Sequence, residues 1–280
     1  MDLNDRIWNP WHGCHKCSEG CQNCYAYFLD KRYGRETNEV LKNKSDFNLP
    51  IKRDKNGNYK LPDGCFVRVC MASDFFLEEA DEWREEAWNF IRQRPSVTFS
   101  LLTKRAERIA QCLPSDWGEG WDNVFFSVSC ENQKRLDERM PYLLAIPAKH
   151  RWVSLKPFIG EMDIAPYLAT GKIETVLAGG ENYLGSRPLH YEWVKKIHDS
   201  CVEHNVQLIF GQTGNLFIME GKEYKIRNRT DQMVQALKSG LHYPPVDIDE
   251  EVATIYARKA AMKDAFEAKR SPKKEDKFNC

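Results

Sequence analysis

The chain has 280 residues, 42% of them hydrophobic and 12% aromatic, which is enough apolar material for a folded core and too much for a chain disordered throughout. Forty-one basic residues balance forty-one acidic ones, so no global charge directs the protein to nucleic acid or to a lipid surface. No run approaches the roughly 20 apolar residues of a membrane span, and the opening MDLNDRIWNPWHG lacks the basic-then-apolar order of a secretory leader. The expectation is a cytoplasmic protein with reduced thiols and no membrane partner.

In chain order, a short strand is expected at 6–9, then a segment holding four of the ten cysteines, Cys14, Cys17, Cys21 and Cys24, and a helix from about Tyr25. Residues 41–64, rich in Asn, Lys, Asp and Gly, read as an inserted loop with a hairpin turn at Asn56 and Gly57. Short apolar runs at 66–71, 97–102, 124–129, 151–155, 175–178 and 206–210 read as buried parallel strands. Amphipathic stretches at 78–92, 104–112, 133–145 and 190–204 read as helices between them. From about 263 the chain is charged and reads as a solvated tail. Six or seven β-α units predict an α/β fold that closes fully or partly into a TIM-like barrel, with a doubly wound open sheet as the competitor. The expected division is a barrel domain over 1–245 and a C-terminal helix with a charged tail over 246–280.

The cysteines carry the chemistry. A cubane iron–sulfur cluster takes thiolates from a compact loop, one per iron corner. Cys17-x3-Cys21-x2-Cys24 and Cys14-x6-Cys21-x2-Cys24 each supply three ligands and leave one iron open. A zinc site using all four thiolates is the competing reading, but only three residues separate the two pairs, which crowds a tetrahedral site. The remaining cysteines are dispersed and read as small apolar core residues.

Polar residues gather where the predicted strands end, the place at which loops of a parallel barrel converge. They are Ser73 and Asp74, then Thr103, Lys104 and Arg105, then Ser129, Glu131 and Asn132. Ser154 and Lys156, Gly179, Gly180 and Glu181, and finally Gln212 complete the ring.

WNPWHGCHKCSEGCQNCYAY resembles the opening of a phage-associated three-cysteine-motif family of radical S-adenosylmethionine-like proteins. The resemblance continues through ASDFF, LLTKR, SVSCEN, WVSLKP, LAGGEN, RPLHYEWV and FGQTGN, and covers roughly residues 5 to 215. It implies a barrel of the radical S-adenosylmethionine type and a 4Fe-4S cluster on Cys14, Cys21 and Cys24, with Cys17 as the rival of Cys14. It also implies a one-electron donor of flavodoxin or ferredoxin type, and reductive cleavage of S-adenosylmethionine to a 5′-deoxyadenosyl radical. The cofactor would meet Ser73, Asp74, Ser129, Glu131, Asn132, Ser154, Gly179, Gly180 and Glu181, and a nucleic acid or nucleotide is the hinted substrate. The family often carries Glu where this chain has Lys156, so no role transfers to that position. The alternative is a non-catalytic zinc- or cluster-binding protein that binds nucleic acid or a partner protein.

Overall fold

A computed structural model describes residues 5–183 and 185–270. Seven strands form one sheet: β1 (Asp5–Trp8), β2 (Phe66–Val69), β3 (Thr98–Thr103), β4 (Val124–Ser129), β5 (His150–Leu155), β6 (Thr175–Gly179) and β7 (Gln207–Gln212). They lie in sequence order, and every neighbouring pair is parallel. A doubly wound sheet reverses its strand order at a switch point; this one does not. It curls into a half-barrel, open between β1 and β7, so the architecture is the partial form of the expected β/α barrel.

Side chains alternate between the two faces of the sheet, as a period of two requires, and the inner positions of Ser127, Ser129 and Ser154 are buried as well. Val67, Val69, Phe99, Leu101, Phe126, Val128, Val153, Val176 and Leu208 point outward into the helical layer and are buried. Phe66, Arg68, Leu102, Phe125, Trp152, Leu177 and Ile209, on the inner face, are only half-buried, and Phe66, Phe125 and Trp152 pack there against one another.

The helices are α1 (Tyr25–Tyr33), α2 (Asp81–Arg92), α3 (Gln133–Ala145), α4 (Ala165–Leu168), α5 (Tyr191–Glu203), α6 (Arg229–Lys238) and α7 (Ile248–Arg270). Asn132 caps α3 by accepting the Arg135 N–H at 3.0 Å, the usual satisfaction of an orphan helix donor. Gly34 ends α1 in the left-handed region, at φ 65.

Two expectations need correction. The helix predicted over 104–112 is two short 3₁₀ turns, Ala106–Arg108 and Ala110–Cys112. The Lys104 N–H donates to the Asp74 carboxylate and the Arg105 N–H to the Thr103 hydroxyl, so side chains capture the donors that would start a helical turn. The loop expected over 41–64 is present, with Phe47, Pro50 and Leu61 buried and the Arg94 guanidinium bound to the carbonyls of Pro50 and Leu61. At its turn Asp54 accepts the N–H groups of Asn56 and Asn58. Finally, the region from 263 continues as α7 to Arg270, beyond which 271–280 lie outside the described residues. The sequence reading also missed a hairpin, β8 (Leu216–Met219) and β9 (Lys222–Lys225), which pairs with Leu189–His190 beside the sheet.

Candidate functional site

The cysteine loop lies over the carboxyl ends of the strands, held by three acidic side chains from alternate strands. After β2, Asp74 accepts the Thr103 hydroxyl at 2.7 Å and the Arg105 guanidinium at 3.1 Å. Arg105 in turn donates to the His15 carbonyl at 2.9 Å and approaches the Cys14 sulfur at 3.8 Å. After β4, Glu131 accepts the Ser18 hydroxyl and, at 3.3 Å, the Gly20 N–H, while Arg139 donates to its other oxygen at 2.7 Å. After β6, Glu181 accepts the Asn23 amide at 2.9 Å and the Arg187 guanidinium. The three acids are 5%, 0% and 6% exposed. Buried charges at this depth persist only when paired and hydrogen-bonded, and each of these is.

Glycine is required twice in the loop. A Cβ on Gly20 would sit 2.6 Å from a Glu131 oxygen. Gly13, at φ 98, would drive a Cβ to 2.2 Å from the Glu39 carbonyl oxygen. Ser73 donates to the Gly13 carbonyl, and Tyr27 donates to the Cys14 carbonyl at 2.6 Å. Strand end and first helix thus grip the loop from both sides.

Cys21 is buried, Cys14 and Cys24 half-buried and Cys17 exposed. The Cys17 and Cys21 sulfurs are 4.0 Å apart. The hydrogen bond from Cys17 holds the Cys21 thiol well below its ordinary value, helped by Lys104 and opposed by burial. Burial, then Asp74, pushes the Cys14 thiol up to about 11. Burial works against a charged Lys104, but Cys21, Glu131, Cys24 and Cys17 outweigh it and raise its pKa. Lys104 and Arg105 therefore place positive charge among the sulfurs, suited to a negatively charged metal–thiolate centre. In donor chemistry the loop fits an iron–sulfur group. Among the described residues, however, no three His, Cys, Asp or Glu side chains are already closed around a metal position.

The remaining predicted residues divide. Asn132 caps α3 and donates to Glu19 at 3.2 Å. Ser129 lies on the inner face with its hydroxyl buried and unpartnered, as does Ser127, and Ser154 is buried beside Ser129 in register. What approaches Gly179 is Lys156, whose Cε would lie 3.1 Å from a Cβ there; Gly180 faces the Thr213 carbonyl instead, at 2.4 Å from its would-be Cβ. Sequence reasoning missed Ser18, Asn23 and Arg139 as the partners of the acids. The polar residues between cysteines were the available signal for the first two. Beside the loop, Cys17, Lys104, Arg135, Arg139 and Tyr142 are among the residues lining an open cleft of about 460 Å³. Cys65, Cys70, Cys130 and Cys201 are buried core thiols.

The chain belongs to the family described as "Protein of unknown function (DUF5131)", whose model matches residues 1–269. No curated protein and no solved structure matches it.

Proposed function

We propose that this family member is a radical S-adenosylmethionine enzyme, a partial β/α barrel of that type, with Cys14, Cys21 and Cys24 as the ligands of a 4Fe-4S cluster. The observation that carries the reading is the suspension of a four-cysteine loop over the carboxyl end of a parallel half-barrel, with Lys104 and Arg105 among its sulfurs. Chemistry in β/α barrels collects at that end. Cys14 is preferred to Cys17 on the family resemblance, with Cys17, whose sulfur lies 4.0 Å from that of Cys21, as its rival.

Bound there, the cluster would supply the electron for reductive cleavage of S-adenosylmethionine. The chain's own share is positional. Asp74, Glu131 and Glu181 hold the loop, and the unpartnered Ser127 and Ser129 hydroxyls, with Ser154 beside Ser129, are among the polar groups the inner face offers a ligand. Lys104 and Arg105 offset negative charge at the sulfurs. The electron would come from a flavodoxin- or ferredoxin-type donor, and the setting is the cytoplasm. No helix among the described residues is long and apolar enough to cross a membrane.

Oxygen-free purification tests the reading. The expected result is a brown protein with about four irons per chain that releases 5′-deoxyadenosine from S-adenosylmethionine on reduction. Iron should be lost in Cys14→Ala, Cys21→Ala and Cys24→Ala and retained in Cys17→Ala. A colourless preparation holding one zinc would sink the proposal and favour the zinc-binding alternative.

A further inference from the structure

Lys156 is a lysine without an anion. It follows β5 on the inner face, two residues beyond Ser154, and its side chain crosses the ends of β6 and β7. Gly179 and Gly211 make the slot in which it lies: a Cβ on Gly179 would stand 3.1 Å from its Cε, and one on Gly211 would stand 2.7 Å from its Nζ. The side chain is ringed by protein yet keeps partial contact with solvent. No hydrogen bond or ion pair joins it to any described residue. Burial first, then Arg229 and Arg68, pushes its pKa down to about 8. His242, whose ring bonds to the Phe210 carbonyl at 3.1 Å, also feels its charge.

The groups acting on Lys156 are therefore all basic. Desolvating a cation among other cations is costly, and a methionine would fill the slot without that cost. What the arrangement lacks is negative charge. Lys104 is the control within the same molecule, since Cys21, Glu131, Cys24 and Cys17 balance it. Among the described residues no carboxylate pairs with Lys156. Arg68 comes from β2 on the same inner face and is only partly engaged, by Asp5 at 3.0 Å. On the same face, two residues before Arg68 and four before Lys156, the rings of Phe66 and Trp152 stack at 5.8 Å and 15°, and both remain half-buried.

We propose that the inner face of the half-barrel at Lys156 is a receptor for the phosphate group of a substrate, with Lys156 as the principal donor, Arg68 as the second, and the Phe66–Trp152 layer as the surface for a planar body. The substrate class is then a phosphorylated small molecule of the nucleoside monophosphate kind. This deepens the enzyme reading above by naming its substrate, but binding needs neither cluster nor turnover, so the two stand or fall separately.

Calorimetric titration of the full chain with inorganic phosphate, adenosine monophosphate, adenosine and S-adenosylmethionine tests it. Phosphate and the monophosphate should bind, and adenosine should bind at least about tenfold more weakly than its monophosphate, the loss expected for a charge-assisted pair. Lys156→Met should lose phosphate binding, and Arg68→Met should weaken it, with both variants folded by circular dichroism. Equal binding of adenosine and its monophosphate would overturn the proposal. So would unchanged phosphate binding in folded Lys156→Met. Binding of S-adenosylmethionine alone, lost with Lys156, would assign the anion site to a cofactor carboxylate and overturn it as well.

Discussion

Two lysines at the mouth of the half-barrel carry the same charge into opposite surroundings. Lys104 sits among thiols and Glu131, whereas the charges that shift Lys156 are those of Arg229 and Arg68. Lys156 has a folded pKa of about 8 against an ordinary 10.5, so below pH 8 it is charged in both states and the whole cost of burying it is present. Between pH 8 and 10.5 the folded chain is already deprotonated while the unfolded chain is still protonated, and stability rises with pH across that window. Lys156→Met should therefore be the more stable protein at pH 7, by on the order of 1–2 kcal/mol once the shift is discounted for remaining solvent contact. The two melting curves should converge as pH approaches 10.5. Thermal unfolding across this range checks the sign, and a variant that melts lower than wild type at pH 7 refutes it.

Helix α2 shows how a single element docks on the outer layer. Its apolar positions Ala87, Trp88, Phe90 and Ile91 are buried, and Asp81 and Glu82 open its first turn, where acidic groups suit the helix dipole. Trp88 is its anchor, with ring centroids 5.0 Å from Phe75, 5.6 Å from Trp117 and 5.8 Å from Trp121. Its indole N–H donates to the Cys112 carbonyl at 2.8 Å, which ties α2 to the 3₁₀ segment after β3. Trp88→Ala removes ring contacts and leaves that carbonyl without its donor. A loss of about 3–5 kcal/mol is expected in denaturant unfolding. A loss below about 1 kcal/mol would mean that the aromatic cluster closes over the gap.

At the scale of the whole molecule, stability is distributed by the open form of the sheet. Strands β2 to β6 each have a parallel neighbour on both sides, while β1 and β7 are the edges. The turn between Arg53 and Tyr59 is largely exposed and joined by an isolated bridge. Amide hydrogen exchange should therefore leave β3, β4 and β5 protected until global unfolding and open 53–60 locally. Uniform protection across both regions would contradict this picture. The same openness leaves the inner face half-covered, with the cysteine loop as its lid at one end.

Much was legible in the amino-acid order because it depends on local periodicity and spacing. Alternation of short apolar runs with amphipathic stretches announced a β-α succession, and most strand positions fell within a residue or two of those observed. Asn and Gly at 56 and 57 marked their turn, and four cysteines between 14 and 24 marked the candidate centre. What tertiary structure alone decided concerns partners distant in sequence. Glu131 reaches back to Ser18, and Glu181 to Asn23, contacts that spacing along the chain does not announce. The expected helix at 104–112 yielded to Asp74, thirty residues earlier. Gly179 and Gly211 gained a purpose only when folding laid Lys156 across them. Spacing records what neighbours along the chain do. Whether a charge ends up paired or alone is decided only when separate strands meet.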